Sequence, residues 1–374
     1  MTENIPLCVP SVGFAEEAAV SIALQSGWVA PAGPHVDVFE AELAELTERP
    51  EVVTTSSGTA ALHLALLAVG IEPGDEVAVA TLTFAATANA VAYVGATPVF
   101  IDCDDMGLMS PELLRLALSE RAAAGRPIRA VIPVDVYGRP VDHHAIAEAA
   151  QDFGAVVVAD AAESLGARLG GRPAGSFGAF AAVSFNGNKI VTTSSGGALL
   201  CPDHESAQRV RYLASQARQP VPHYEHTEIG YNYRLSNILA ALGSAQLARL
   251  PEILRAKRSN FEIYKAMAEQ LDGVRILDPA EGNCWMNTLI LESEADAAGM
   301  TGSLLDVGIE TRPVFKPMHM QPAQAGADRS YITGRAEDLY RRGIVLPSST
   351  DLRPEQISRV VDIIVSTCRT RSTA

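Results

Sequence analysis

The sequence predicts an α/β protein with a mainly parallel, doubly covered sheet, followed by a smaller α+β part. Three observations carry this. Short valine-rich runs alternate with helical patterns over roughly the first 240 residues. The runs are apolar at successive positions, as strands buried on both faces must be. Several of the helical patterns close on a glycine, a common helix stop.

The elements follow in order. "EVVTTSS" reads as a strand, and "TAALHLALLAVG" as the helix after it. "EVAVATL" and "TPVFID" are strands, "SPELLRLALSERAAAG" a helix, and "RAVIPVDVYG" a strand. "DHHAIAEAAQDFG" is a helix. Its adjacent His143 and His144 point in different directions and read as surface residues. "AVVVADAA" and "AFAAVSF" complete the set of strands. From residue 236, "SNILAALGSAQLARLPEILRAKRSNFEIYKAMAEQL" reads as long helix, interrupted near Pro251 because proline lacks the N–H of the helical ladder. "MNTLILE" is a strand, and an amphipathic helix over 354–367 closes the chain. This places a large domain at 1–245 and a small α+β domain at 246–374.

Composition narrows the function. The formal net charge of −15 over 374 residues argues against nucleic acid and anionic membrane as partners. Five dispersed cysteines with no C-x-x-C pair read as reduced thiols of a cytoplasmic protein. The stretch 77–101 lacks charge and is long enough to span a bilayer, but its threonines, asparagine, glycine and proline favour a buried strand–turn–helix–strand. No G-x-G-x-x-G follows the first strand, "FNGNKIV" is not a P-loop, and no zinc-type motif is present, so no metal site is expected.

Three features point to chemistry. "TTSSGTAALHLAL" passes from strand to helix at Gly58 and Thr59. A helix start of small residues offers N–H groups to a phosphate, or Ser57 or Thr59 simply caps it. Asp160 ends the strand "AVVVAD", where ligand sites form in α/β sheets; equally, it caps the next turn, with Glu163 three residues on completing a capping pattern. Lys189 follows the next strand, at the same end of the sheet, and is the one charge in "SFNGNKIVTTSSGGALL". A desolvated lysine forms a Schiff base with a carbonyl; an ordinary loop lysine snorkels to water. Taken together, these parts are what pyridoxal phosphate requires: donors for its phosphate, a lysine for its aldehyde and a carboxylate for its pyridine nitrogen. Phe84 in "TLTFAATANA" is placed either to cover the ring or to fill the core.

The runs "SGTAALHLALLAVGIEPGDEVAVATLTFAATANAVAYVGATPVFIDCD", "ADAAESLGA", "SFNGNKIVTTSSGGAL" and "HYEHTEIGYNYRLSNILAALGSAQL" resemble the DegT/DnrJ/StrS-type sugar aminotransferases, from "IPLCVPSVG" to the last helix. The resemblance implies an aspartate-aminotransferase-like fold (fold type I) with a mostly parallel seven-stranded sheet, and a homodimer with shared active sites. It implies that Lys189 forms the internal aldimine, with pyridoxamine phosphate as intermediate, and that Asp160 pairs with the pyridine nitrogen. Glu163 then lies beside the ring's phenolic oxygen and Phe84 stacks on the ring. Gly58, Thr59 and Ser184 hold the phosphate, and Asn232 reaches the phosphate of the partner subunit. Ala179, Asp135 and Leu239 depart from the family's usual residues.

"SGWVAPAGPHVDVFE" and "VFKPMHMQP" look most like enzymes that act at C4 of UDP-linked 4-keto-6-deoxy sugars, with glutamate as amino donor. In that case Lys316, His319 and Arg234 meet the diphosphate or uridine, and Trp28 packs on sugar or base. A C3-keto sugar or a cyclitol as substrate, and a ligand sensor without catalysis, are the alternatives.

Overall fold

The computed structural model describes residues 3–325 and 330–372. Helices α1 (Phe14–Gln25) and α2 (Pro34–Thr47) precede β1 (Glu51–Thr55). Then come α3 (Gly58–Val69), β2 (Glu76–Ala80), α4 (Ala85–Tyr93), β3 (Thr97–Ile101), α5 (Pro111–Ala123), β4 (Ile128–Ile132), α6 (His143–Gln151) and β5 (Val156–Asp160). A short ribbon, β6 (Arg168–Leu169) and β7 (Arg172–Pro173), leads to β8 (Phe180–Ser184), β9 (Gly197–Cys201), α7 (His204–Ala214) and α8 (Asn237–Ala268). The remainder is β10 (Arg275–Ile276), β11 (Asn287–Ile290), α9 (Glu294–Asp306), β12 (Arg312–Pro313), β13 (Ser330–Tyr331), α10 (Arg335–Arg342), β14 (Gly343–Leu346) and α11 (Pro354–Ser372).

The large sheet has the order β1-β9-β8-β5-β4-β2-β3-β13. Only β9 runs against its neighbours; every other pairing in this sheet is parallel. The sheet therefore holds the seven expected strands plus β13, which adds two residues to the edge. The sequence reading missed β9 as a strand, because "GALLC" is short and follows a run of serines and glycines. The uncharged stretch 77–101 is β2, α4 and β3, as expected. No helix among the described residues is long and apolar enough to cross a membrane.

Alternate residues of each strand face opposite layers. Ala78 and Ala80 join a core with Phe39 of α2, Leu114 of α5 and Ile146 of α6. Val77 and Val79 join the other core, with Leu62 and Leu66 of α3 and Val91 of α4. The second sheet, β10-β11-β14-β12, is antiparallel throughout. Its core takes Met300 and Leu304 from α9 and Ile357, Val360 and Ile364 from α11.

Helix α8 is a correction. It runs unbroken for 32 residues with Pro251 inside it, where an interruption was expected. A proline removes one helical hydrogen bond, and packing along the whole length outweighs that loss. Gly243 lies against Phe39, and Arg249 and Gln246 bind the buried Glu16 of α1. Tyr264, Met267 and Ala268 at the far end belong to the core of the second sheet. The expected domain boundary at 245/246 thus falls within this helix.

Asp102, just past β3, fastens the returning chain to the large sheet. It accepts the N–H groups of Cys103, Thr333, Gly334, Arg335 and Ala336 and the hydroxyl of Thr333, at the start of α10.

Candidate active site

The C-terminal ends of β1, β2, β5 and β8 meet at one edge of the sheet, which is where open α/β sheets bind ligands. A cavity of about 400 Å³ lies there. Gly58, Thr59, Phe84, Asp160, Glu163, Ser184 and Lys189 all line it.

Lys189 sits in the loop between β8 and β9, and its Nζ donates to Glu163 Oε1 at 3.1 Å. The other oxygen of Glu163 accepts the N–H of Tyr137 at 2.7 Å. Tyr137 takes a left-handed backbone (φ 56°), rare for a bulky residue and a sign of local constraint. Its ring stacks on Phe315 at 4.7 Å, and its hydroxyl accepts the Phe315 N–H at 2.8 Å. Burial pushes the phenol up from its ordinary pKa. The indole of Trp285 covers Lys189, its ring centre 4.0 Å from Nζ, and its Nε1–H holds the Asn188 carbonyl at 2.7 Å.

Asp160 is buried at the end of β5. Thr87 donates to Oδ2 at 2.7 Å, and the Ala162 N–H to Oδ1 at 3.1 Å. Burial pushes its carboxyl pKa up to about 6, against the pull of these two hydrogen bonds. A cation placed against this carboxylate would recover the desolvation cost.

The third wall is the start of α3. Ser57 caps it by accepting the Ala60 N–H at 3.0 Å, leaving the N–H groups of Gly58 and Thr59 to a ligand. The Ser57 cap is present as expected, and it is compatible with an anion at the helix start. A Cβ on Gly58 would lie 2.9 Å from Ser184 Cβ, so the absence of a side chain there leaves the wall open. A phosphate monoester fits this cradle, and an aromatic aldehyde with a ring nitrogen fits between Lys189 and Asp160.

The other expected residues lie outside this lining. Asn232 is exposed, on a segment whose Tyr233 carbonyl accepts the Ser56 N–H at 2.7 Å, and Arg234 pairs with Thr55 beside it. Trp28 is 54% exposed. Lys316 is half-buried. His319 has both ring nitrogens engaged, with Thr81 at 2.6 Å and Glu337 at 3.3 Å. The sequence reading missed Thr87, Tyr137, Trp285, Arg312 and Phe315, all of which line the cavity.

His143 is not a surface residue. It is buried, stacks on Phe177 at 4.6 Å and meets Asp135 at 2.9 Å through Nε2; its neighbour His144 is exposed. Asp135 also accepts Ser164 Oγ at 2.6 Å and the Val141 N–H at 3.0 Å. Ser164 adjoins Glu163, so this buried group braces the turn that carries the acid.

Residues 11–365 match the DegT/DnrJ/EryC1/StrS aminotransferase family. The chain belongs to that family. EpsN of Bacillus subtilis, by name a pyridoxal phosphate-dependent aminotransferase, is 42% identical over 98% of this chain and 96% of its own. The GDP-perosamine synthase of Escherichia coli O157:H7 is 36% identical over 96% of this chain and 97% of its own. Among solved structures, Spr1654 of Streptococcus pneumoniae, by name a sugar aminotransferase, superimposes in its PMP form with a TM-score of 0.91, at 25% identity and 99% of both chains. The chain is a pyridoxal phosphate-dependent sugar aminotransferase of this family, and its fold is that of these enzymes.

Proposed function

We propose that this enzyme moves an amino group from glutamate to the C4 keto group of a nucleotide-linked 4-keto-6-deoxy sugar. The observation that carries it is Lys189 and Asp160 facing one cavity with the start of α3. Pyridoxal phosphate, when bound, delocalises the electron pair left when a proton leaves the donor's Cα. The chain supplies the rest. Gly58, Thr59 and Ser184 hold the phosphate, Phe84 covers one ring face, and Asp160 pairs with the ring nitrogen. The Nζ of Lys189 first secures the aldehyde. Once displaced by the donor's amine, it takes the proton from Cα and later returns one to the sugar carbon. Glu163 accepts a hydrogen bond from that amine, and Trp285 keeps water from it.

The resemblance of "VFKPMHMQP" supports a UDP-linked substrate, with Lys316, His319, Arg234 and Trp28 toward the nucleotide. A GDP-linked substrate is the second reading, favoured by relatives named GDP-perosamine synthase at 32–36% identity. A homodimer is part of the proposal. Asn232 is exposed and outside the lining of its own chain's cavity, as expected of a residue that completes the partner's site, and Phe84 at the cavity's edge is 60% exposed in the single chain. The five dispersed cysteines, with no C-x-x-C pair, support a cytoplasmic setting.

The test is a visible spectrum of the purified protein, before and after glutamate, beside Lys189→Ala. The native protein should show the band of a lysine-bound cofactor and lose it on adding glutamate; the variant should show no such band. UDP- and GDP-linked 4-keto-6-deoxy sugars then compete for the aminated form, with the product read by mass spectrometry and NMR. Amination of neither would overturn the substrate reading.

A further inference from the structure

We propose that Arg312 anchors a carboxylate of the amino donor. This rests on the reading above, that glutamate is the donor. Among the described residues that line the cavity, the cationic side chains are Lys189 and Arg312. Lys189 is committed to the aldehyde and to proton transfer. Asp160 and Glu163 face the same space with negative charge, and the chain as a whole carries −15. The two carboxylates of glutamate meet repulsion from these acids unless a local cation offsets it.

Arg312 is placed to be that cation. It lies on β12, paired with Val345 of β14, which also lines the cavity. Among the described residues its guanidinium is engaged only in part. Nη1 donates to the Thr311 carbonyl at 3.2 Å and Nη2 to Glu310 Oε1 at 2.6 Å, two bonds from a group with five N–H donors. The side chain is 60% exposed, and an ion pair this exposed is weakly held, so a carboxylate of the donor can replace Glu310 at little cost. Glu310 stays fixed meanwhile, because its Oε2 accepts the Leu7 N–H at 2.9 Å.

The chemistry of the two substrates explains why this cation serves the amino acid and not the sugar nucleotide. Both must bring a reacting carbon to the same place beside Lys189. In glutamate the α-carboxylate is one bond from that carbon. In the sugar the diphosphate is attached across the ring from C4, outside the inner cavity. A planar fork that binds carboxylate through two parallel hydrogen bonds suits the first. When the neutral keto sugar occupies the cavity, Glu310 takes the guanidinium back.

The experiment uses the cofactor-loaded enzyme and the variants Arg312→Gln and Arg312→Lys. Retention of the visible cofactor band shows that each is folded and loaded. The glutamate concentration giving half the maximal rate of band loss should rise about 10- to 100-fold in Arg312→Gln, the range for losing a charged hydrogen-bond pair. The affinity for glutarate, which binds without reacting, should fall by a similar factor in calorimetry. Arg312→Lys should recover part of both losses. The half-reaction with the keto sugar should lose far less. Glutamate and glutarate dependence within about twofold of native would overturn the proposal, since a charged contact is worth more than that. So would a loss confined to the keto-sugar half-reaction, which would assign Arg312 to the diphosphate. A native enzyme that loads cofactor but is not converted by glutamate would instead overturn the reading of the donor.

Discussion

The ring centre of Trp285 lies 4.0 Å from the Nζ of Lys189, although 96 residues separate them in the chain. The contact joins the loop after β8 to the segment that leads into β11, and so ties the Lys189 amine to the second sheet. Trp285 is 3% exposed, whereas Trp28, the other tryptophan of the sequence, is 54% exposed. Cofactor loading should therefore quench the blue-shifted part of the emission. In Trp285→Phe that part is missing and the red-shifted emission of Trp28 stays. Equal quenching in the native protein and Trp285→Phe would show that the cofactor sits elsewhere.

Asp160 makes the cofactor-free protein less stable at neutral pH. Burial pushes its carboxyl up to about 6 in the folded chain, from an ordinary value of 3.8. Between these values the folded chain keeps a proton that the unfolded chain has released. Stability contributed by the protonated acid is thus lost as pH rises from about 4 to 6, by about 1–3 kcal/mol in total. Asp160→Asn should remove that loss and raise the cofactor-free Tm at pH 7.5, while weakening cofactor binding. Cofactor affinity of the native protein should fall below about pH 6, as the carboxylate takes up its proton, and that of the variant should not. Thermal melts and binding titrations from pH 5 to 8 decide this.

Gly58→Ala tests the phosphate cradle. The helical start tolerates alanine, but its Cβ would crowd Ser184 at 2.9 Å. Cofactor affinity should drop about 10-fold or more, as for a lost charged hydrogen bond, and Tm should fall as well, because a Cβ this close to Ser184 Cβ and Cα forces the end of β8 to shift. Adding Ser184→Gly relieves the crowding and should restore part of the Tm, while the lost hydroxyl keeps the affinity low. A single variant that binds as tightly as native would place the phosphate elsewhere.

Asp102→Asn should be the most destabilising of these changes, by about 2–4 kcal/mol, because an amide donor then faces a ring of backbone donors at the start of α10. Burial works to raise the Asp102 carboxyl, yet the hydrogen bonds from Cys103, Thr333 and Ala336 outweigh it and hold the pKa below its ordinary value. Its stabilisation is therefore complete at neutral pH and is lost as pH falls through that depressed value. Denaturant melts at pH 7 and in acid should show the gap between native and variant narrowing as pH falls.

The sequence made legible the residues that lie at strand ends. Gly58, Asp160, Ser184 and Lys189 each follow or end a valine- or alanine-rich run, so topology alone brings them together. Trp285, Arg312 and Phe315 come from the second sheet and its connections, and no local pattern relates them to Lys189. His143 carried a signal that was overlooked. With Ile146 and Ala150 it forms an i, i+3, i+7 stripe, and all three are buried. Asp135 stood out only as a departure from the family's residues. Its role depends on Ser164 and His143 converging from different segments. Pro251 misled because local propensity was weighed without the packing along α8.

The first residues of the chain have a consequence for handling it. Ile5 pairs with Ile309, Leu7 lines the cavity, and the Leu7 N–H holds the carboxylate that pairs with Arg312. A protease nick just ahead of Ser11 would spare every residue proposed to hold the cofactor and still strip Leu7 from the cavity wall and the Leu7 N–H from Glu310. Preparations with ragged N-termini would then look fully loaded by colour while turning over poorly. Intact-mass measurement should accompany every activity measurement.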